Sequence, residues 1–248
     1  EILGKEFDTK TCGKCIVIEY LNTNKVIVKF YDPEAFVNCS YSALKNGHVK
    51  NPLFPTFRGK GFIGVGRFSA KDTRLFYLWT SMLYRGCVNG VALSQPSYKD
   101  VEVCEEWLDF QNFAEWCVRQ KGFYAKDAGG KSYQLDKDIL VRGNKVYSPE
   151  TCCFVPARVN SILINCKRAR GEYLVGVSFH KRRNKFTATY NYFGKLTHIG
   201  SFDTEVQAFQ AYKQAKELYI KEVVRDYKES LCSIVYQTLI NWEIGADD

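Results

Sequence analysis

The chain of 248 residues is 46% apolar and 25% charged, ordinary globular values that exclude disordered, collagen-like and low-complexity fibrous classes. Its length suits two or three small domains. Net charge is +8, from 35 Lys and Arg against 27 Asp and Glu, and residues 161–230 hold 13 of the basic groups against 7 of the acidic. A surplus gathered in under a third of the chain points to an acidic polymer as partner, nucleic acid being the commonest.

No stretch approaches the roughly 18 uninterrupted apolar residues of a membrane helix. The opening Glu1-Ile2-Leu3-Gly4-Lys5-Glu6 has no apolar signal core and no Met, which reads as a soluble, intracellular chain short of its first residue or two. Ten cysteines in such a chain read as reduced, mostly buried thiols. Cys12-Gly13-Lys14-Cys15 has the spacing of half a zinc knuckle, and no second pair at a standard spacing completes it.

Residues 1–68 read as short strands forming a small β-barrel. Cys15–Tyr20 and Lys25–Tyr31 are β-branched and aromatic runs on either side of Asn22-Thr23-Asn24, a hairpin signal. Gly61, Gly64 and Gly66 make no dinucleotide fingerprint, because no strand-turn-helix unit with a downstream acid follows them. No nucleotide cofactor is expected.

Residues 69–165 begin helical. Leu75, Leu78, Trp79, Met82 and Leu83 follow one face that ends near Arg85-Gly86. Leu108, Phe110, Phe113, Trp116 and Cys117 make a second, aromatic helix, and both stripes read as core. Tyr133–Leu140, the Gly143-Asn144 turn and Ser148-Pro149-Glu150 then predict strand, turn, strand, helix, the serine capping and the proline at the first helical position.

Residues 166–230 predict three strands and a helix. Tyr173–His180, Lys185–Tyr190 and Lys195–Phe202 are the strands, and Lys181–Asn184 and Tyr192-Phe193-Gly194 are the turns between them. From Thr204 to about Val224 runs a helix with Ala208, Ala211, Ala215, Leu218 and Tyr219 on one stripe and Thr204 with Gln207 as a capping box. A short helical tail occupies 231–248. Strict alternation turns Val177, Phe179, Phe186, Ala188, Tyr190 and Ile199 toward the helix. Ser178, His180, Arg182, Thr187, Thr189, Asn191 and His198 face away, framed by Lys181, Arg183, Lys185 and Lys195. A sheet of this kind suits the major groove of double-stranded DNA, its rim on phosphates and its face on base edges.

Residues 173–224 resemble the Apetala-type (ethylene-response-factor-type) DNA-binding domain. The likeness rests on Val175-Gly-Val-Ser, Asn184-Lys-Phe-Thr-Ala, His198-Ile-Gly-Ser-Phe-Asp-Thr204 and the helix motif Ala208-Phe-Gln-Ala-Tyr-Lys. It implies three strands in the major groove, with Ser178, His180, Arg182, Thr189, Asn191 and His198 toward the bases. The family usually carries Arg and Trp at several of these places, so its sequence preference does not carry over.

Residues 77–160 resemble the HNH (His-Me finger) module that phage proteins of the homing-endonuclease type place before such a domain. The shared pattern is Trp79-x-x-Met82-x-x-Arg85, Tyr98-Lys99, Val103-Cys-Glu-x-Trp107 and Phe110-x-x-Phe113, then Leu135-Asp-Lys-Asp138, Asn144, Tyr147-Ser-Pro-Glu150 and Asn160. Residues 1–68 are similar to the small barrel at the start of some phage relatives. The implied architecture is α+β: an N-terminal small β-barrel, a central ββα module with flanking helices, and a three-stranded antiparallel sheet packed on a helix.

In such a nuclease a histidine takes a proton from the attacking water while a divalent ion steadies the leaving oxygen. The resemblance places Asp136 as the acidic ligand, Lys137 where the histidine belongs and Thr151 where an asparagine ligand belongs. Asp136, Asp138 and Asn144 form the implied set for Mg²⁺ or Mn²⁺, with Glu150 and Asn160 as further oxygen donors. The only histidines are His48, His180 and His198, so the HNH-like segment has none. A lysine, with an ordinary pKa of ~10.4, is a poor general base.

Two readings follow. One is a divergent metal-dependent nickase using Asp136, Lys137 and Asp138. The other is a module without cleavage, kept for DNA grip or protein contacts, and the missing histidine favours it. Asp136 and Asn144 also have a plainer reading, as residues that close turns. A silent nuclease core would suit a phage protein that acts on a host protein in the cytoplasm of an infected bacterium. It would do so in counter-defence or transcription regulation, through its barrel and the tail bearing Tyr236 and Trp242.

Overall fold

A computed structural model describes residues 2–87, 98–163 and 172–246. The expected boundary at 165/166 lies outside the described residues. The chain divides into two compact units, Glu1–Arg119 with Gly143–Thr151, and Gln120–Arg142 with Cys152–Asp248. Among the described residues, no helix is long and apolar enough to cross a membrane.

In the first unit, β1 (Glu6–Asp8), β2 (Lys14–Asn22), β3 (Lys25–Tyr31) and β4 (Glu34–Cys39) form an antiparallel sheet in that order. Cys15 and Val17 of β2 and Val26, Val28 and Phe30 of β3 alternate into its buried face. The predicted barrel is not formed, and the sheet stays open. After β4 the chain turns into helix α1 (Tyr41–Lys45), capped by the Ser40 hydroxyl, which accepts from the Ala43 amide. Residues 46–68 then contribute only isolated bridges, so no further strand joins β4 back to β1.

Helix α2 (Thr73–Cys87) buries Leu75, Trp79, Met82 and Leu83, the stripe its spacing predicts. A one-turn 3-10 helix over Glu105–Leu108 leads to α3 (Phe110–Arg119), which buries Phe110, Phe113 and Cys117. The Trp79 indole donates to the Trp107 carbonyl at 2.8 Å, and its ring lies 5.4 Å from that of Phe110. Aromatic packing thus builds this core. Strand β5 (Glu102–Val103) pairs in parallel with a later strand of the same unit, β7 (Val146–Tyr147); β6 (Gln134–Asp136) belongs to the second unit.

In the second unit, β6 pairs antiparallel with β8 (Cys153–Val155), and α4 (Ala157–Leu163) follows. The predicted helix start at Ser148 is a turn instead. Cys153, Phe154 and Val155 are all buried in a strand, and the proline that opens the helix is Pro156, whose carbonyl accepts from the Asn160 amide at 3.1 Å. Strands β9 (Val177–His180), β10 (Lys185–Tyr192) and β11 (Lys195–Phe202) form an antiparallel sheet in the order β11-β10-β9. Helix α5 (Glu205–Arg225) packs on it, its first turn capped by Thr204, which accepts from the Gln207 amide at 3.3 Å. Ala208, Phe209, Tyr212, Tyr219, Ile220, Val223 and Val224 are its buried residues. Leu218, expected on that stripe, is 67% exposed, because the buried line runs through Tyr219 and Ile220. Helix α6 (Ser233–Ile240) forms the tail and packs on α5.

Candidate nucleic-acid interface

Residues paired across neighbouring strands share a face. Thr187 of β10 stands opposite Ser178 of β9 and Ser201 of β11, so three hydroxyl side chains form one row across the sheet. Lys185 stands opposite His180, Thr189 opposite His198 and Asn191 opposite Leu196. Ser178, His180, Asn191, His198 and Ser201 are exposed, while Thr187 and Thr189 are half-buried. On the other side Ala188 is fully buried, Phe179 and Phe186 rings pack 4.9 Å apart, and Tyr190 lies 6.0 Å from Tyr219 of α5.

Strict alternation alone does not give this face. Ala188 pairs with Gly200 and Thr189 with His198, so Ile199 has no opposite number and forms a bulge. The bulge reverses the alternation along β11, putting His198 and Ser201 on one face although they are three positions apart. Ser201 was missed in the sequence for this reason; Phe202, inward opposite Phe186, is the signal that marks it.

Lys181, Arg182 and Arg183 form a 3-10 turn between β9 and β10, all three exposed. Arg182 therefore sits in the turn and not on the strand face where alternation had placed it. Asn184 closes the turn in the left-handed region at φ 50°, which Asn tolerates better than most residues. Lys185 pairs with Asp203, whereas Lys195 is exposed at the far end of β11. Residues 177–202 hold five Lys and Arg and no Asp or Glu. Gly176, at φ +75°, lies flat against the Tyr212 ring of α5, and its carbonyl accepts from the Thr189 amide at 2.9 Å.

The HNH-like residues fall in both units. Asn144 and Glu150 belong to the first, and Asp136, Lys137, Asp138 and Asn160 to the second. Asn144 closes its own turn, donating to the Val146 carbonyl at 2.7 Å and accepting from the Val146 amide at 3.2 Å. Thr151 donates to the Val146 carbonyl at 2.8 Å and precedes β8, so it is not at the start of a helix. Glu150 is exposed, its carboxyl held below the ordinary range first by a hydrogen bond from Ser148.

Asp136 ends β6 and is 9% exposed. Its Oδ1 accepts from the Asp138 and Ile139 amides, both at 2.9 Å. Burial, and then the charge of Asp138, raise its pKa to about 6 against those two hydrogen bonds. The Lys137 ammonium donates to Asp138 Oδ2 at 3.1 Å, and Asn160 Nδ2 donates to Gln134 Oε1 at 3.2 Å. These donors do not fit a divalent ion: one Asp136 oxygen is committed to the backbone and Asp138 already carries an ammonium. Among the described residues no three His, Cys, Asp or Glu side chains gather as a metal would require.

Comparison with family models, curated proteins and solved structures gives no match to this chain.

Proposed function

We propose that the protein binds double-stranded DNA through the β9–β10–β11 sheet, laid in the major groove. One observation carries the reading. The exposed face of that sheet is almost wholly hydrogen-bonding side chains, its connecting turn is Lys181-Arg182-Arg183, and the segment 177–202 contains no acid. A merely solvated face would mix signs; this one is matched to a polyanion with readable base edges. Ser178, His180, Thr189, Asn191 and His198 are the base-side candidates, and Lys181, Arg182, Arg183 and Lys195 the phosphate-side ones. Lys185, already paired with Asp203, contributes less than the others.

The likeness to phage HNH proteins supports DNA as the target and an infected bacterium as the setting. It does not support cleavage, since the position of the general-base histidine holds Lys137 and the Asp136 carboxylate is engaged by backbone amides. The proposed role is DNA binding without strand scission. The test is fluorescence anisotropy of the full chain with a labelled 30-base-pair duplex over a range of salt. Binding that weakens by at least 10³-fold from 50 to 200 mM salt, as ~6 or more phosphate contacts require, is the expected result. Absence of binding at 50 mM salt and micromolar protein overturns the proposal.

A further inference from the structure

A second concentration of positive charge lies outside the sheet. Residues 41–87 carry eight Lys and Arg and a single acid, Asp72. Some of these are engaged: Arg67 pairs with Glu115 at 2.7 Å, and Arg85 donates to the Ser81 carbonyl and lies 5.2 Å from the Tyr147 ring. Arg58 and Lys60 are exposed, and no ion pair among the described residues engages either.

Both sit on one small turn. The Phe57 and Gly61 main chains bond to each other in both directions, at 2.9 and 2.8 Å, leaving Arg58-Gly59-Lys60 as the tip. Behind the tip the turn is fixed to α2: the Phe57 ring packs 5.5 Å from Phe76 and 5.0 Å from Trp79, and a side chain at Gly61 would overlap Leu83. Arg58 holds a left-handed backbone at φ 54°, a conformation that disfavours side chains, yet the position holds an arginine. Its guanidinium lies 5.0 Å over the Tyr84 ring, an attraction that uses none of its N–H donors. Beside it opens a cavity of about 280 Å³ lined by Thr56, Phe57, Arg58, Thr80 and Leu83. That is room for a phosphodiester oxygen pair and several waters at ~30 Å³ each. Tyr77 and Tyr84, two turns apart on α2, add hydroxyls of the kind that contact phosphates, while the Thr80 hydroxyl donates to the Phe76 carbonyl at 2.9 Å.

We propose that the Arg58–Lys60 turn and its cavity form a second, sequence-independent contact for the phosphate backbone of duplex DNA, carried by the first unit. The inference rests on the reading of the protein as a duplex-DNA binder. Each phosphate neutralised should contribute ~0.9 to the slope of log affinity against log salt.

The experiment compares full-length variants by anisotropy on duplex DNA between 50 and 200 mM salt. Arg58→Gly/Lys60→Gln removes both charges and lets glycine relax the left-handed position, so folding is retained and is checked by melting temperature. Its slope should fall by ~1.8, which shrinks the Kd ratio of variant to wild type about twelvefold across that salt range. Lys5→Gln/Lys25→Gln, two exposed lysines elsewhere, lowers net charge equally and should leave the slope unchanged. An unchanged slope in Arg58→Gly/Lys60→Gln, or an equal fall in the Lys5/Lys25 control, overturns the proposal. A wild type that does not bind overturns both this and the DNA reading. If the slope falls at Arg58 and Lys60 but not in Lys181→Gln/Arg182→Gln/Arg183→Gln, this contact stands and the sheet assignment fails.

Discussion

The ammonium of Lys137 lies 3.1 Å from Oδ2 of Asp138, its neighbour in sequence, with the lysine side chain 9% exposed and the aspartate 51%. The two residues that the HNH resemblance would give to proton transfer and metal binding thus answer each other. Asp138→Asn leaves the buried ammonium without its carboxylate. The expected loss is about 1–2 kcal/mol, between the values for exposed and fully buried pairs, read from urea unfolding at pH 7. An unchanged midpoint would mean that the pair contributes nothing to stability.

Asp136 gives a pH dependence of definite sign. Its pKa in the folded chain is raised to about 6, so the native state holds the proton more tightly than the unfolded chain. Stability from this group is fullest below ~4, falls as pH rises toward about 6, and the penalty above that is on the order of 3 kcal/mol. Asp136→Asn keeps an oxygen acceptor for the two amides and cannot ionise. Urea midpoints should show the variant gaining on wild type between pH 4 and 7.5. A gap that stays constant over that range contradicts the assignment.

Gly176→Ala tests what holds the sheet to its helix. A Cβ there meets the buried Tyr212 ring on a left-handed backbone, so overpacking and strain add to about 2–4 kcal/mol. Thermal unfolding should show the loss. Wild-type stability in this variant would mean that Gly176 and Tyr212 are not in close contact.

Supercoiled plasmid incubated with the protein and Mg²⁺ or Mn²⁺ should remain supercoiled, because neither Lys137 nor the backbone-bonded Asp136 is set to activate water. Nicked circles that disappear with Asp136→Ala would establish a divergent nuclease and reverse this expectation.

Long periodic segments were legible in the sequence. The stripe of α2, the aromatic face of α3, the three strands of the second unit and the Thr204 cap all follow from spacing that tertiary packing then uses. Where two local signals competed, packing decided. Ser148-Pro149 has the chemistry of a helix start, but Cys153-Phe154-Val155 gains more by burial against β6, and Pro156 opens the helix instead. The barrel failed for a longer-range reason, since hairpin signals say nothing about whether a last strand returns to the first.

The sheet face was legible as far as the bulge. A single unpaired Ile199 changes which residues of β11 share a side, and alternation has no term for it. Arg182 moved for a related reason, because three successive cations prefer a solvated turn to a strand. The charge on residues 41–87 was hidden by averaging: residues 98–119 hold six acids and two cations, and a sum over the rest of the chain cancels the two stretches.

Methylation interference on a selected duplex site distinguishes a sheet seated in the major groove from any other docking. Dimethyl sulfate marks guanine N7 in the major groove and adenine N3 in the minor groove of the same molecules. Methylation at a few guanine N7 positions should block binding, adenine N3 methylation should not, and His198→Ala or Asn191→Ala should relieve the block at one position each. Interference confined to adenine N3, or none at any base, would contradict a sheet in the major groove.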